Sequence, residues 1–205
     1  MNKHNVQGND NINANYNYPT IFRIAKDQKR DVKTALYSSW SDNRTVLLGV
    51  DKPETRHLKV DYVIDGFDLD HEKYPNKPGD LQVFDYDAEV CKGAAECIRN
   101  NAPDLNWLYL WYSDDAYHHN GNGHISDWSV MAEDSILKQV WEAVKERQKK
   151  HDEDWLVIVT TDHGRSYNGT GHGGQTDTER TIWVSTNLKK RNGKFGRADL
   201  SHVDI

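Results

Sequence analysis

Two short segments of this chain concentrate side chains that bind metal ions. Residues 113–121 have the sequence SDDAYHHNG, and residues 160–164 (TTDHG) are followed closely by residues 171–174 (GHGG). Carboxylates and imidazoles without cysteine are donors that suit a borderline divalent cation such as Zn²⁺. The glycines permit tight turns that leave the imidazole rings unobstructed. The residue types therefore predict a metal site built from both segments.

Each segment also has a simpler interpretation when it is taken alone. Asp114 and Asp115 could be turn residues at a strand end, and residues 162–164 could form an ordinary strand-to-loop turn. His118 and His119 could be exposed loop histidines. Metal binding is favoured because the same uncommon combination of aspartate and histidine follows two separate predicted strands.

The elements around the segments predict how they meet. Residues 106–113 and 155–161 are nearly continuous apolar runs, typical of strands buried on both faces. Between them we expect a loop over 114–125 and a helix from Ser126 or Asp127 to Lys150. This order predicts a βαβ unit with a parallel sheet, followed by a third strand over 181–186. Ligands bind at the carboxyl edge of such sheets, where both segments begin.

The first half of the chain predicts further elements of an α/β protein. Pro19 can begin a helix, residues 32–37 and 60–67 have strand patterns, and a helix capped by residues 85–87 runs to about Asn100. On the first helix Ile21, Ile24 and Ala25 share one face. On the second, Val90, Ala94 and Cys97 mark the buried face. On the third, Leu137, Val140 and Val144 form an apolar stripe, with Ile136 and Ala143 beside it. Cys91 and Cys97 point to different sides of one helix, so they cannot form a disulfide.

Composition limits the class of protein. We expect a single domain over residues 1–205, with a flexible, asparagine-rich segment over 1–17 and a small lobe or insertion within 38–83. The net charge of -6 excludes a protein that coats DNA or RNA, since such domains carry a basic excess. No apolar run approaches the 18 or so residues that a membrane-spanning helix needs.

The TTDHG and GHG runs resemble those of the alkaline phosphatase superfamily, and within it the type I phosphodiesterase/nucleotide pyrophosphatase family. That family also has a strand followed by Asp-x-x-Gly-His-x-x-Gly, which here corresponds to residues 114–121 with Tyr117 at the usual glycine. In this register Asp114 and His118 are the ligands; the rival register, Asp115 and His119, loses the closing glycine and is less favoured. The resemblance covers roughly residues 1–190.

The resemblance implies an alkaline-phosphatase-like, three-layer αβα domain with a mostly parallel central sheet. It also implies a metal-dependent hydrolase of phosphodiester or nucleotide pyrophosphate bonds, acting on a small phosphoester or nucleotide. Of two divalent cations, with Zn²⁺ favoured, one would be held by Asp114, His118 and His172. The other would be held by Asp162 and His163, together with an upstream aspartate and the nucleophile. Relatives of this kind commonly act in the periplasm or are secreted.

The family's nucleophile is a Ser or Thr that follows an apolar strand ending in Asp. Residues 1–18 do not have this pattern, so we expect the nucleophile upstream of this chain, a catalytic domain that is incomplete at both ends, and little hydrolysis by the chain alone. Thr20, beside Pro19 at a helix start, is a weaker candidate because no such strand precedes it.

Two other interpretations stay open. Phosphomonoesterases, sulfatases and phosphonate hydrolases belong to the same superfamily. Alternatively, the seven tryptophans could belong to a non-catalytic glycan-binding protein with an exposed row of rings. Against this second alternative, Trp107, Trp141 and Trp155 are predicted core positions.

Overall fold

The computed structural model describes residues 14–190, 192–193, 195 and 201–202. The helices of this part of the chain are α1 (Ile21–Gln28), α2 (Leu81–Asn101), α3 (Tyr112–Asn120), α4 (His124–His151) and α5 (Asp177–Arg180). The strands are β1 (Thr34–Ser38), β2 (Tyr62–Ile64), β3 (Leu105–Tyr109), β4 (Ile158–Thr160) and β5 (Val184–Thr186). Residues 1–13 of the segment predicted to be flexible lie outside the described residues.

The main sheet is parallel, as predicted, and has the strand order β2-β1-β3. Ala35 lies opposite Tyr62 on one side and Asn106 on the other. All five residues of the central strand β1 are buried. Since β2 comes from within residues 38–83, that segment contributes a strand to the main sheet.

Apolar side chains cover both faces of this sheet. On one face, Ala35 and Tyr37 pack against a buried row of α2 that consists of Val90, Ala94 and Cys97. On the other face, Leu36 packs with Phe22 of α1 and with Leu48 and Leu58, which lie between β1 and β2. The result is an α/β arrangement with apolar cover on either side of parallel strands.

Helix α4 lies on the outer side of α2 and extends the helical layer. Ala143 and Val144 are buried against Ala95 and Ile98 of α2, and Val140 packs beside them. The predicted stripe of α4 is thus confirmed at its C-terminal half. Among the described residues, no helix combines the length and the apolar composition that a membrane-spanning helix requires.

The predicted βαβ unit is wrong. In the described residues β4 does not join the main sheet; it pairs with β5 in antiparallel orientation, Ile158 opposite Thr186. Both strands are shorter than predicted, at three residues each, and the flanking Leu156 and Trp183 are 58% and 54% exposed. The strand predicted over 106–113 ends at Tyr109 and is half-buried, since it forms one edge of the three-stranded sheet.

Two helix predictions also need correction. The buried residue of α1 is Phe22, whereas Ile21 and Ile24 are exposed. Helix α2 begins at Leu81, so residues 85–87 lie within the helix and do not cap it. Thr20 caps α1, its hydroxyl accepting a hydrogen bond from the Arg23 N–H.

The tryptophans divide between core and surface. Trp107 packs edge-on against Phe22, and Trp155 lies against the α2–α4 cluster. Trp141 is 38% exposed, so its predicted core position is wrong. Exposed Trp128 and Trp141 are 13 residues apart on α4, about 20 Å along the axis. They therefore form no continuous row.

Candidate metal centre

Helix α3 begins at the carboxyl edge of the main sheet, and neighbouring helices hold its first turn. The Asp87 carboxylate of α2 accepts hydrogen bonds from the backbone N–H groups of Trp111 (3.0 Å) and Tyr112 (2.9 Å). Glu133 of α4 accepts one from the Ser113 N–H (2.7 Å). A helix leaves its first N–H groups without internal acceptors. Helices α2 and α4 therefore supply the cap of α3.

The two capping carboxyls are themselves removed from water. Asp87 is fully buried and also accepts a hydrogen bond from the Ser39 hydroxyl. Burial raises the pKa of Asp87, and the nearby charge of Glu133 raises it further. Burial likewise raises the pKa of Glu133. The pair therefore retains a proton at pH values where exposed carboxyls are ionised.

The loop predicted over 114–125 is wrong for residues 114–120, which belong to helix α3. Aspartates in its first turn and histidines in its last turn complement the helix dipole, a signal that was present in the sequence. The local sequence offers no cap, however, because the N-cap residue Trp111 makes no side-chain capping hydrogen bond. The caps come from positions 87 and 133, which only the tertiary fold brings to this turn.

The helix separates the two candidate registers. Successive residues on a helix are rotated by about 100°, so Asp114 and Asp115 point in different directions. Asp114 and His118 face the segment after β4, where His172 lies. The rival pair, on another side of α3, faces the turn before α2.

Backbone carbonyls orient two of the predicted imidazoles. The Nδ1 atom of His118 lies 2.8 Å from the Thr170 carbonyl oxygen, and that of His163 lies 2.9 Å from the Gly164 carbonyl oxygen. A carbonyl only accepts, so each Nδ1 carries the hydrogen and each neutral ring presents an Nε2 lone pair. Metal-ligating histidines are held in the same way.

Of the predicted ligands, Asp114, His163 and His172 form one tight donor group, and His118 lies beside it, in contact with Asp114 and His172. Asp114 Oδ1 is 3.5 Å from His172 Nε2 and 3.9 Å from His163 Nε2, and Asp114 Oδ2 is 3.3 Å from His118 Nε2. The Nε2 atoms of His118 and His172 are 2.8 Å apart. The ligand atoms of Asp114, His163 and His172 all lie within 4.8 Å of one another. His163 therefore contacts the carboxylate that the resemblance assigns to the other cation.

The environment of His172 favours its neutral form. Burial lowers the pKa of His172, and the neighbouring His163 lowers it further. The two rings are stacked, with centroids 4.0 Å apart. Because a metal ligand must offer a lone pair, a neutral imidazole is the form that can bind a cation.

Asp162 stands at the margin of the centre. Its Oδ1 atom is 3.6 Å from His163 Nε2, but its side chain is 62% exposed. It reaches the cluster through His163, its neighbour in sequence, and belongs to neither of the two tight groups of donors found among the described residues.

Arg165 is a charged member of the centre that the sequence did not indicate. Its Nη1 donates to the Asp114 carboxylate, and its Nε donates to the Gly169 carbonyl at 2.6 Å. The guanidinium lies 5.2 Å above the Tyr117 ring. Tyr117 stands where the motif that this segment resembles has glycine. Here the tyrosine ring packs against the Arg165 guanidinium in a cation–π contact. The arginine follows the DHG run directly, which was the available clue.

Close backbone approach joins α3 to the segment after β4. Gly121 ends α3 with φ +62°, and a Cβ there would lie 2.6 Å from the Asn168 carbonyl oxygen. The same carbonyl accepts a hydrogen bond from the Asn122 N–H at 3.0 Å. This contact sets the position of the nearby Thr170 carbonyl, and through it that of His118.

No family model and no curated protein matches this chain. The donor set nevertheless fits a divalent cation on its own chemistry. One carboxylate and three imidazoles converge, and backbone contacts at Nδ1 leave the Nε2 lone pairs of His118 and His163 directed at the centre.

Proposed function

We propose that this protein is a metal-dependent hydrolase of phosphodiester or nucleotide pyrophosphate bonds, of the alkaline phosphatase type. The observation that supports this most is the convergence of Asp114 and His118 with His163 and His172, from two segments more than 40 residues apart. The proposal keeps Asp162 as a further ligand, next to His163. The substrate is a small phosphoester or nucleotide.

The donor set suits two divalent cations, with Zn²⁺ favoured. Bound cations would polarise the phosphoryl group and lower the pKa of the attacking hydroxyl or water. The imidazoles of His118 and His163 are oriented by their Nδ1 contacts, whereas a bound cation would replace the contact of Arg165 with Asp114 and that of His118 with His172. We place the nucleophilic Ser or Thr upstream of these residues, as the resemblance implies.

Arg165 gives the site a second kind of charge. Its side chain pairs with Asp114 and is only 14% exposed. A guanidinium that adjoins the predicted ligands favours anionic substrates through its positive charge. This supports a phosphoester in preference to a neutral substrate.

The proposal is tested by titrating the full chain with Zn²⁺ in a calorimeter. We expect binding, and we expect His172→Ala to weaken it at least ~10-fold, since loss of an outer-shell partner alone costs that much. The matched control is His151→Ala at the far end of α4, which should leave the affinity unchanged. Absence of binding, or equal affinity in His172→Ala, contradicts the proposal.

A further inference from the structure

The second Asp–His pair of α3 forms its own cluster. Asp115 and His119, like Asp114 and His118, are four residues apart and share a side of the helix. His119 Nε2 contacts the Oδ2 atom of Asp80, at the turn before α2, and lies 3.9 Å from Asp115 Oδ2. The donor atoms of these three residues all lie within 4.8 Å of one another.

Asp80 is held in place by its own surroundings. The residue has φ +50°, which aspartate tolerates better than most side chains. The buried Gln82 amide donates a 3.0 Å hydrogen bond to Asp80 Oδ1, and the side-chain carbonyl of Gln82 accepts one from the Lys77 N–H. One oxygen of Asp80 is thus fixed by a neighbouring amide, while the other faces His119. Partners of this kind orient the ligands of known metal sites.

Asp115 offers an oxygen that has no hydrogen-bond donor. Its Oδ2 atom is buried from water and makes no hydrogen bond, although it faces His119. A buried carboxylate oxygen without a partner is costly and needs an explanation. A cation bound at this point would supply the missing interaction.

The charges around the cluster also favour a cation. Two carboxylates face one imidazole, and among the described residues neither Asp80 nor Asp115 forms an ion pair with lysine or arginine. The nearby Lys77 pairs with Asp85 instead. His119 is 52% exposed, so an ion could enter from solvent and retain water ligands.

We propose that Asp80, Asp115 and His119 form a second, separate site for a divalent transition-metal ion. Two carboxylate oxygens and one imidazole nitrogen suit Zn²⁺ or Mn²⁺, with water completing the coordination. A cation about 2.1 Å from each ligand sets those atoms roughly 3–4 Å apart, so small side-chain rotations close the site. This site does not depend on the proposed hydrolase function.

The experiment is a Zn²⁺ titration of the full chain, followed by NMR of the histidine ring nitrogens. We expect the His119 Nε2 signal to shift on coordination. Asp80→Asn and Asp115→Asn should each weaken this response at least ~10-fold, since loss of an outer-shell partner alone costs that much. Asp80→Asn keeps a side-chain oxygen that can accept from Gln82, and Asp115→Asn removes a buried charge. Both variants should therefore fold, and circular dichroism checks this.

The control variant is His172→Ala, in the candidate metal centre. It should leave the His119 response unchanged. No shift of His119 at Zn²⁺ saturation overturns the inference, and so does a shift that persists equally in both aspartate variants, which indicates adventitious binding by an exposed imidazole. A response of His119 without one of His163 would contradict the proposed function alone.

Discussion

The candidate metal centre joins two regions that are built differently. Asp114 and His118 stand on α3, whose first turn is capped by buried carboxyls beside a fully buried strand. His163 and His172 stand on an irregular segment after β4, where neighbouring side chains are largely exposed. That segment is positioned by backbone contacts, such as the one between Gly121 and Asn168.

The difference shows that ligand position can be secured by the core or by local backbone contacts. On the α3 side, position is coupled to the stability of the whole domain, because α2 and α4 take part. On the other side, position depends on a few carbonyl and glycine contacts. Substitutions in the first region should therefore reduce stability and cation binding together, whereas those in the second should mainly reduce cation binding.

The largest effect is expected for Asp87→Ala. The substitution leaves two backbone N–H groups and the Ser39 hydroxyl without their acceptor. We expect the free energy of unfolding to fall by at least about 3 kcal/mol, since three donors lose their acceptor and each unsatisfied buried donor costs ~1–3 kcal/mol. Urea unfolding measures the loss, and Zn²⁺ titration should show weaker binding as well.

Asp85→Ala on the same helix is the control for this prediction. Asp85 pairs with Lys77 on the surface, so its loss should cost no more than about 1 kcal/mol. Equal stability losses in the two variants would show that the buried cap of α3 does not contribute more to stability than an ordinary surface ion pair.

A smaller effect on stability is expected for Gly121→Ala, at the contact between the two regions. An alanine would adopt a strained backbone and approach the Asn168 carbonyl to 2.6 Å. We expect a loss of about 1–3 kcal/mol, and weaker Zn²⁺ binding because Thr170 and His118 must move. Gly66→Ala also has a positive φ but meets no atom within 4 Å. Gly66→Ala should therefore leave Zn²⁺ affinity unchanged. An equal loss of affinity in Gly66→Ala would show that the contact between Gly121 and Asn168 is not the cause.

The smallest effect is a dependence of stability on pH from the capping carboxyls. Their pKa values are raised in the folded state, so the folded protein binds protons more tightly than the unfolded chain. This contribution is complete below about pH 4, the ordinary carboxyl value, and is lost as pH rises through the folded pKa. We expect this contribution to decrease from pH 4 to 8, while His172, whose pKa is lowered, contributes in the opposite direction.

Glu133→Gln should flatten this dependence of stability on pH in chemical unfolding curves, whereas Glu142→Gln, at an exposed pair with Lys145, should not. If stability depends on pH equally in Glu133→Gln and the wild type, the capping pair is ionised throughout.

Glu153 affects stability with the opposite sign and at lower pH. Its hydrogen bond from Arg147 lowers the pKa of Glu153 to about 2, so its contribution to stability is lost only as pH falls below about 4.

The sequence predicted the long, periodic elements well and the short ones poorly. Val90, Ala94 and Cys97 repeat at helical spacing and are buried on α2 as expected. Asp87 was predicted to cap α2, but it caps α3 instead. The Trp111 N–H group that Asp87 caps lies 24 residues away in sequence, and no local pattern predicts a capping contact over that distance.

The candidate site divides in the same manner. The donor types and their spacing of four residues indicated which side chains of 113–121 act together, in both registers. Which register faces which partner depended on α3 being a helix and on its rotation. Arg165 and Asp80 were not indicated, because each meets the α3 side chains only through the tertiary fold.

By itself, the sequence determined which chemical groups are available. These are aspartate and histidine donors, glycines that allow close turns, and helices whose apolar spacing fixes a buried face. The tertiary structure decided where that chemistry meets, since α3 is capped by carboxyls of α2 and α4 and β4 pairs with β5 outside the parallel sheet. The physical reason is that spacing along one element is a local property. Capping, strand pairing and the approach of two loops instead depend on groups far apart in the chain.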